Sequence, residues 1–252
     1  MKTSSIMKNK QFLFFLSILV LSSLFVLESC SSSKKSVKRD DLAFNTPDYK
    51  EIEKAINDNN SEFYYPELLR RFEAADTTLT SEQAYYFYYG TATRPDYNPY
   101  KLNNYKEMNE ALSGDKVTEE NRRKAAQVIE RELQTDPTNL RFHFYKQMVY
   151  SNLYGHESQE YLDAVFQVRT LLSAIMTSGD GRSKETAFHV ISVTDEYGVM
   201  DILGVSLKMQ SMIHDKSQSY DLMELKENEY GLESLYFNIT VCMKAMDKMF
   251  SH

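Results

Sequence analysis

The sequence predicts an α+β fold in which N-terminal helical hairpins pack with a small C-terminal antiparallel sheet. Three observations carry this. Apolar residues recur at 3.6-residue spacing from Asp48 to about Thr177, the helical period. After "SGDGRSKET" the period shortens to two and β-branched residues take over, the mark of strands. Apolar and aromatic residues make up 42% of the 252 residues, enough to bury a core that offsets chain entropy.

Residues 1–29 precede that core. "MKTSSIMKNK" carries Lys2, Lys8 and Lys10 and no acid, and Phe12–Leu27 is a sixteen-residue run, apolar apart from three serines. A permanent span needs about 20 residues, so the run suits an export signal better. "LESC" follows, with Leu27 at −3, Ser29 at −1 and Cys30 at +1; Glu28 stands where a small residue is commoner. The junction resembles a bacterial lipoprotein signal, and the resemblance implies cleavage before Cys30 and lipidation of its thiol. Two or three acyl chains there would anchor the protein stably. Residues 30–44, rich in Ser and Lys, bury nothing and read as a flexible tether. The residue after Cys30 is serine, which implies the outer membrane, and a basic tether favours its periplasmic face.

Residues 45–180 are expected to be helical. "DYKEIEKAINDNN" carries Ile52, Ala55 and Ile56 on one face, and "YPELLRRFEAAD" begins with Pro66 at a first helical position. "TSEQAYYFYYG" opens with a capping box, Thr80 with Gln83, and closes on Gly90. "RPDYNPY" places two prolines within five residues, which demands a turn. "TEENRRKAAQVIERELQTDP" is capped by Thr118, has Asn121 at N3, and runs a stripe of Ala125, Val128, Ile129 and Leu133 until Pro137. "NLRFHFYKQMVYSNLYG" and "ESQEYLDAVFQVRTLLSAIMTSG" follow as two more helices. This alternation over residues 118–178 resembles a tetratricopeptide-type unit, without the usual Trp and "LG" positions.

Residues 181–252 are expected to be an antiparallel β region closed by a short helix, fused with residues 45–180 into one body. "AFHVISV", "SLKMQSMIH", "YDLMELKE" and "LYFNITV" read as strands. In the last, Leu235, Phe237, Ile239 and Val241 share one face, and Tyr236, Asn238 and Thr240 the other. A "NEYG" loop places Gly231 in the left-handed position, and "MKAMDKMF" ends as helix. The segments "YYFYYG", "RPDYNPY", "SKETAFHVIS", "DEYGVMDILG" and "ENEYGLESLYFNI" together resemble an uncharacterised family of Bacteroidota lipoproteins known as a domain of unknown function. That resemblance implies a unified fold and an envelope location, and no activity.

Composition excludes some chemistry. The net charge is −7, and removal of residues 1–29 leaves 26 basic against 35 acidic residues, so the basic stripe that nucleic acid needs is absent. Beyond Cys30 there is one more cysteine, Cys242 in "ITVCMKAM", which reads as a small buried hydrophobe. His143, His156, His189, His214 and His252 show no zinc-hydrolase spacing, so no metal is expected, and no cofactor motif occurs. His189 reads as a satisfied core residue, "SGDGRS" as the joint between helices and sheet, and Asp195–Glu196 in "TDEYG" as a turn. Tyr85, Tyr88 and Tyr89 share a helical face and read as buried. Tyr97 and Tyr100, in a proline-stiffened surface turn, are the candidate binding residues, able to stack on a sugar or contact a protein.

The function expected is that of a membrane-anchored, non-catalytic module binding an envelope protein or glycan. One alternative is an unrecognised hydrolase of envelope glycans or peptides, drawing Asp195, Glu196 and His189 towards the Tyr97 turn. Another is a small-molecule binder with a pocket between helices and sheet.

Overall fold

A computed structural model describes residues 44–101, 105–113 and 117–250. The signal segment, Cys30, most of the tether and His252 lie outside the described residues. Nine helices and one four-stranded sheet make up the described chain, a mixture compatible with the α+β class.

The first three helices are α1 (Tyr49–Asn57), α2 (Tyr65–Glu73) and α3 (Ser81–Thr91). Asp48 caps α1 by accepting from the Lys50 and Glu51 amides, and Pro66 sits in the first turn of α2. Thr80 and Gln83 form the expected capping box on α3: each side chain accepts from the other residue's amide. Replacing Thr80 with alanine orphans the Gln83 amide, and we expect a loss of about 1 kcal/mol by chemical denaturation.

Ring packing explains why α3 can be aromatic on nearly every side. It lies between α1 and α2 on one flank and α7 (Gln159–Met176) on the other. Phe87, Tyr88 and Tyr89 are wholly buried and Tyr85 nearly so, each contributing about 1.5–3 kcal/mol of burial. Helix α3 runs one residue past Gly90 to Thr91. Gly90 lies against Ile56 of α1, where a Cβ would sit 3.0 Å from the isoleucine methyl. The chain entering α1 is pinned by the Asn45 amide, which donates to the Thr177 carbonyl at the end of α7.

The next helices are α4 (Tyr105–Ala111), α5 (Glu119–Thr135) and α6 (Leu140–Leu153), with α6 leading into α7. Helix α4 has no counterpart in the sequence reading. The α5 stripe packs as its spacing predicts: Ala125, Val128, Ile129 and Leu133 are buried against Met108, Phe142 and Val149 in a satellite core. Helices α5, α6 and α7 pack as successive neighbours.

The sheet departs from expectation in two ways. Its order is β1-β4-β3-β2, with β1 (Phe188–His189) parallel to β4 (Ser234–Asn238), so it is mixed and not purely antiparallel. "AFHVISV" supplies only the two residues of β1, because Ser192 then caps a helix, α8 (Val193–Leu203), through its side chain. The "TDEYG" turn is therefore a correction: it is the first half of α8. Gly198, the apparent breaker, serves a close approach, since a Cβ there would lie 3.1 Å from the Arg141 amide of α6. The true stop is Gly204, at φ 68°. Likewise β4 ends at Asn238, and Thr240 and Val241 open α9 (Thr240–Phe250) instead of extending the strand.

Strands β2 (Leu207–Asp215) and β3 (Gln218–Leu225) form an antiparallel hairpin, and β3 pairs antiparallel with β4, as anticipated. Gly231 takes the left-handed conformation at φ 61°. Met223, Leu225, Leu235 and Phe237 face the helices, and one continuous core joins them to α1, α2, α3, α7 and α8. No helix among the described residues is long and apolar enough to cross a membrane.

Candidate functional site

The candidate residues converge where the 94–101 turn meets α8, β3 and the first turn of α9. Arg94 and Tyr97 close the turn through a backbone bond, and the Asn98 side chain accepts from the Tyr100 amide. The turn then docks: the Ser192 hydroxyl donates to the Pro99 carbonyl at 3.4 Å. Two prolines fix the entry and exit angles, so the turn presents its tyrosines with little entropy left to lose.

The two tyrosines have different surroundings. Tyr97 turns inward, and its hydroxyl donates to the Ile191 carbonyl at 2.6 Å and lies 3.7 Å from the Cys242 sulfur. Burial pushes its phenol well above the usual range. Tyr100 stays at the rim, 36% exposed, with its hydroxyl 3.4 Å from the Met243 sulfur. Burial, then the nearby Cys242, Asp221, Glu196 and Asp247, raise its phenol to about 12. Tyr97 is thus the pin and Tyr100 the presented ring. Cys242 is wholly buried, and desolvation drives its thiol up, away from the thiolate a nucleophile needs.

Beneath the turn lie three acids. Asp195, wholly buried, accepts from the Tyr88 hydroxyl at 2.7 Å and from the Leu140 amide at 3.0 Å. Leu140 opens α6, so a carboxyl from α8 satisfies an orphan donor at that helix N-terminus. Desolvation outweighs both bonds and raises Asp195 to about 8. Glu196, also wholly buried, finds no N–H or O–H donor for either oxygen. After desolvation, the neighbour that raises it most is the Asp221 carboxyl on β3. Burial and the second carboxyl both act against the charged form, so Glu196 is held towards its protonated state. Asp221 accepts in turn from Gln210, whose amide oxygen accepts from Tyr197.

His189 is not part of this group. Burial alone acts on its ring, lowering it to about 4, while its backbone carbonyl accepts from Tyr89. The acids thus lie under the fold's surface, where they join α3, α6, α8 and β3. Among the described residues, no set of three His, Cys, Asp or Glu side chains is placed to hold a metal ion. Asp221 was absent from the sequence reading, although a signal existed: it breaks the apolar face it shares with Met223 and Leu225.

No curated protein and no solved structure matches the chain. The sequence model of a family described as a domain of unknown function, DUF4919, matches residues 50–248, from α1 to near the end of α9. The chain belongs to the DUF4919 family.

Proposed function

We propose that this chain is a lipid-anchored, non-catalytic module of the cell envelope that offers the Tyr100 corner to an envelope protein. One observation carries the reading: a rigid turn, pinned by Tyr97 to the Ile191 carbonyl, holds an aromatic ring at the surface beside Met243. Preorganised tyrosines bind with little ordering cost, and thioethers adapt to a partner's shape. The Phe12–Leu27 run and Cys30 support lipidation and a periplasm-facing outer-membrane site. The neighbouring α5, α6 and α7 supply a tetratricopeptide-like second surface, where Met148, Tyr154 and Leu162 are each exposed.

Two experiments test the reading. Cys30→Ser should release the chain from the membrane fraction; retention there sinks the anchor. A photo-crosslinking amino acid at Tyr100 should capture one recurrent protein that the same probe at exposed Lys50 does not, and Tyr100→Ala should weaken that complex by about tenfold or more. Identical adducts at both positions sink the docking surface. Turnover of envelope glycans or peptides by the purified chain would install the hydrolase reading in its place.

A further inference from the structure

We propose that β2 is the interface for a second copy of this chain, joining two four-stranded sheets edge to edge. β2 is the outer strand of the order β1-β4-β3-β2, and it is nine residues long. Between Lys208 and His214 its sequence is "MQSMI", without charge, proline or glycine. Charges and bulges normally block a natural edge; here Lys208 with its bulge and Asp215 sit at the two ends and leave the middle of the strand open. There Met209 and Met212 are about half exposed, one on each face of the sheet.

The register fixes which backbone groups are free. Asp215 pairs with Gln218 across a two-residue turn, and Ile213 and Ser211 pair with Tyr220 and Leu222. In a two-residue hairpin the closing pair is hydrogen-bonded, and so is every second pair after it. Asp215, Ile213 and Ser211 therefore aim their N–H and C=O groups at β3. Those of Gln210, Met212 and His214 point outward.

A two-fold axis through Ser211, perpendicular to the sheet, makes these groups meet. Gln210 of one copy then faces Met212 of the other in a hydrogen-bonded pair. Met209 faces Ile213 in two equivalent apolar contacts, and the Ser211 residues face each other. The faces of the two sheets stay continuous, which a one-residue slip would destroy. A slip of two residues centres the pairing on Met212 and sets Met209 against Asp215, an apolar side chain against a carboxylate already paired with Lys184.

The assembly also closes. An extra residue at Lys208 bulges β2 and ends the ladder on one side, and the Lys216–Ser217 turn ends it on the other. The opposite edge of the sheet is the two-residue β1, and the Tyr236 amide of its neighbour β4 is already taken by the Gly181 carbonyl. Pairing through β2 uses the one long free edge among the described residues of each copy. The product is a dimer and not a fibre.

The test is disulfide trapping in isolated envelopes. Facing residues of a non-hydrogen-bonded antiparallel pair have Cα atoms about 4.5 Å apart, within disulfide range. Ser211→Cys should give a covalent dimer under mild oxidation. Leu162→Cys, on α7 and more exposed than Ser211, and the parent chain, which reports any free Cys30, should not. Purified chain should sediment in a concentration-dependent monomer–dimer equilibrium, and Met209→Asp should weaken it by about tenfold or more. A monomer at all concentrations with no Ser211→Cys adduct overturns the proposal. So does a dimer that Ser211→Cys fails to trap, or a Ser211→Cys adduct with a different protein.

Discussion

Asp195→Ala is expected to lower the unfolding free energy by about 3 to 5 kcal/mol. The substitution leaves two buried donors without a partner, the Leu140 amide and the Tyr88 hydroxyl, and each such orphan costs about 1–3 kcal/mol. A cavity at a fully buried site adds to that. For a folded body of this size the melting temperature falls by roughly 10 °C. Asp195→Asn keeps an oxygen for Leu140 but turns a donor towards Tyr88, so it should lie between the two. Scanning calorimetry of the three proteins decides the matter, and an alanine variant within 1 kcal/mol of the parent would refute the role given to Asp195.

The second large effect is one of pH. Asp195, Glu196 and Asp221 are all raised by burial, Asp195 to about 8. An unfolded chain releases these protons near pH 4, while the folded chain keeps them. Their contribution is fully present below the unfolded values and is lost as pH rises towards the folded ones. His143 and His189 act oppositely: burial lowers both to about 4, so stability falls as pH drops below 6.5 towards 4. Above 6.5 the histidines are silent and the acids act alone. Asp195 alone should therefore make stability fall by about 1.5 kcal/mol between pH 6.5 and 8, and Glu196 adds to that fall. Glu196→Gln removes one of the two buried carboxyls, and it should flatten the slope and stabilise the protein at pH 8. Urea titrations at three pH values read this directly; a flat parent profile, or an unchanged slope in the variant, would contradict the role given to these buried acids.

Much of the architecture was legible locally. The Thr80–Gln83 box, the Thr118 cap, the α5 stripe, the antiparallel β3–β4 pair and left-handed Gly231 all follow from chemistry within a few residues of each other. What escaped depends on distant partners. "TDEYG" looks like a turn because Gly198 opposes helix formation, yet its missing side chain is what admits the α6 backbone. "AFHVISV" has strand propensity, but only two of its residues find a partner strand. For the site, sequence placed Tyr97 and Tyr100 in one stiff turn and could not separate them. Ile191, 94 residues away, makes one a pin and leaves the other at the surface. Asp221 could have been found by asking which polar residue interrupts a period-two apolar face.

The bond between the Asn45 amide and the Thr177 carbonyl has a mechanical consequence. Tension arriving from the N-terminal side meets that single hydrogen bond first, and after it the Tyr49, Ile52 and Ile56 contacts of a nine-residue helix. Once that bond to the end of α7 gave way, helix α1 would peel off in sequence, like a zip. Its departure would uncover Gly90 and the ring of Tyr89, both now covered by α1 side chains. The body is built with a fuse at the N-terminal end of its described residues, and the strong structure begins one helix later.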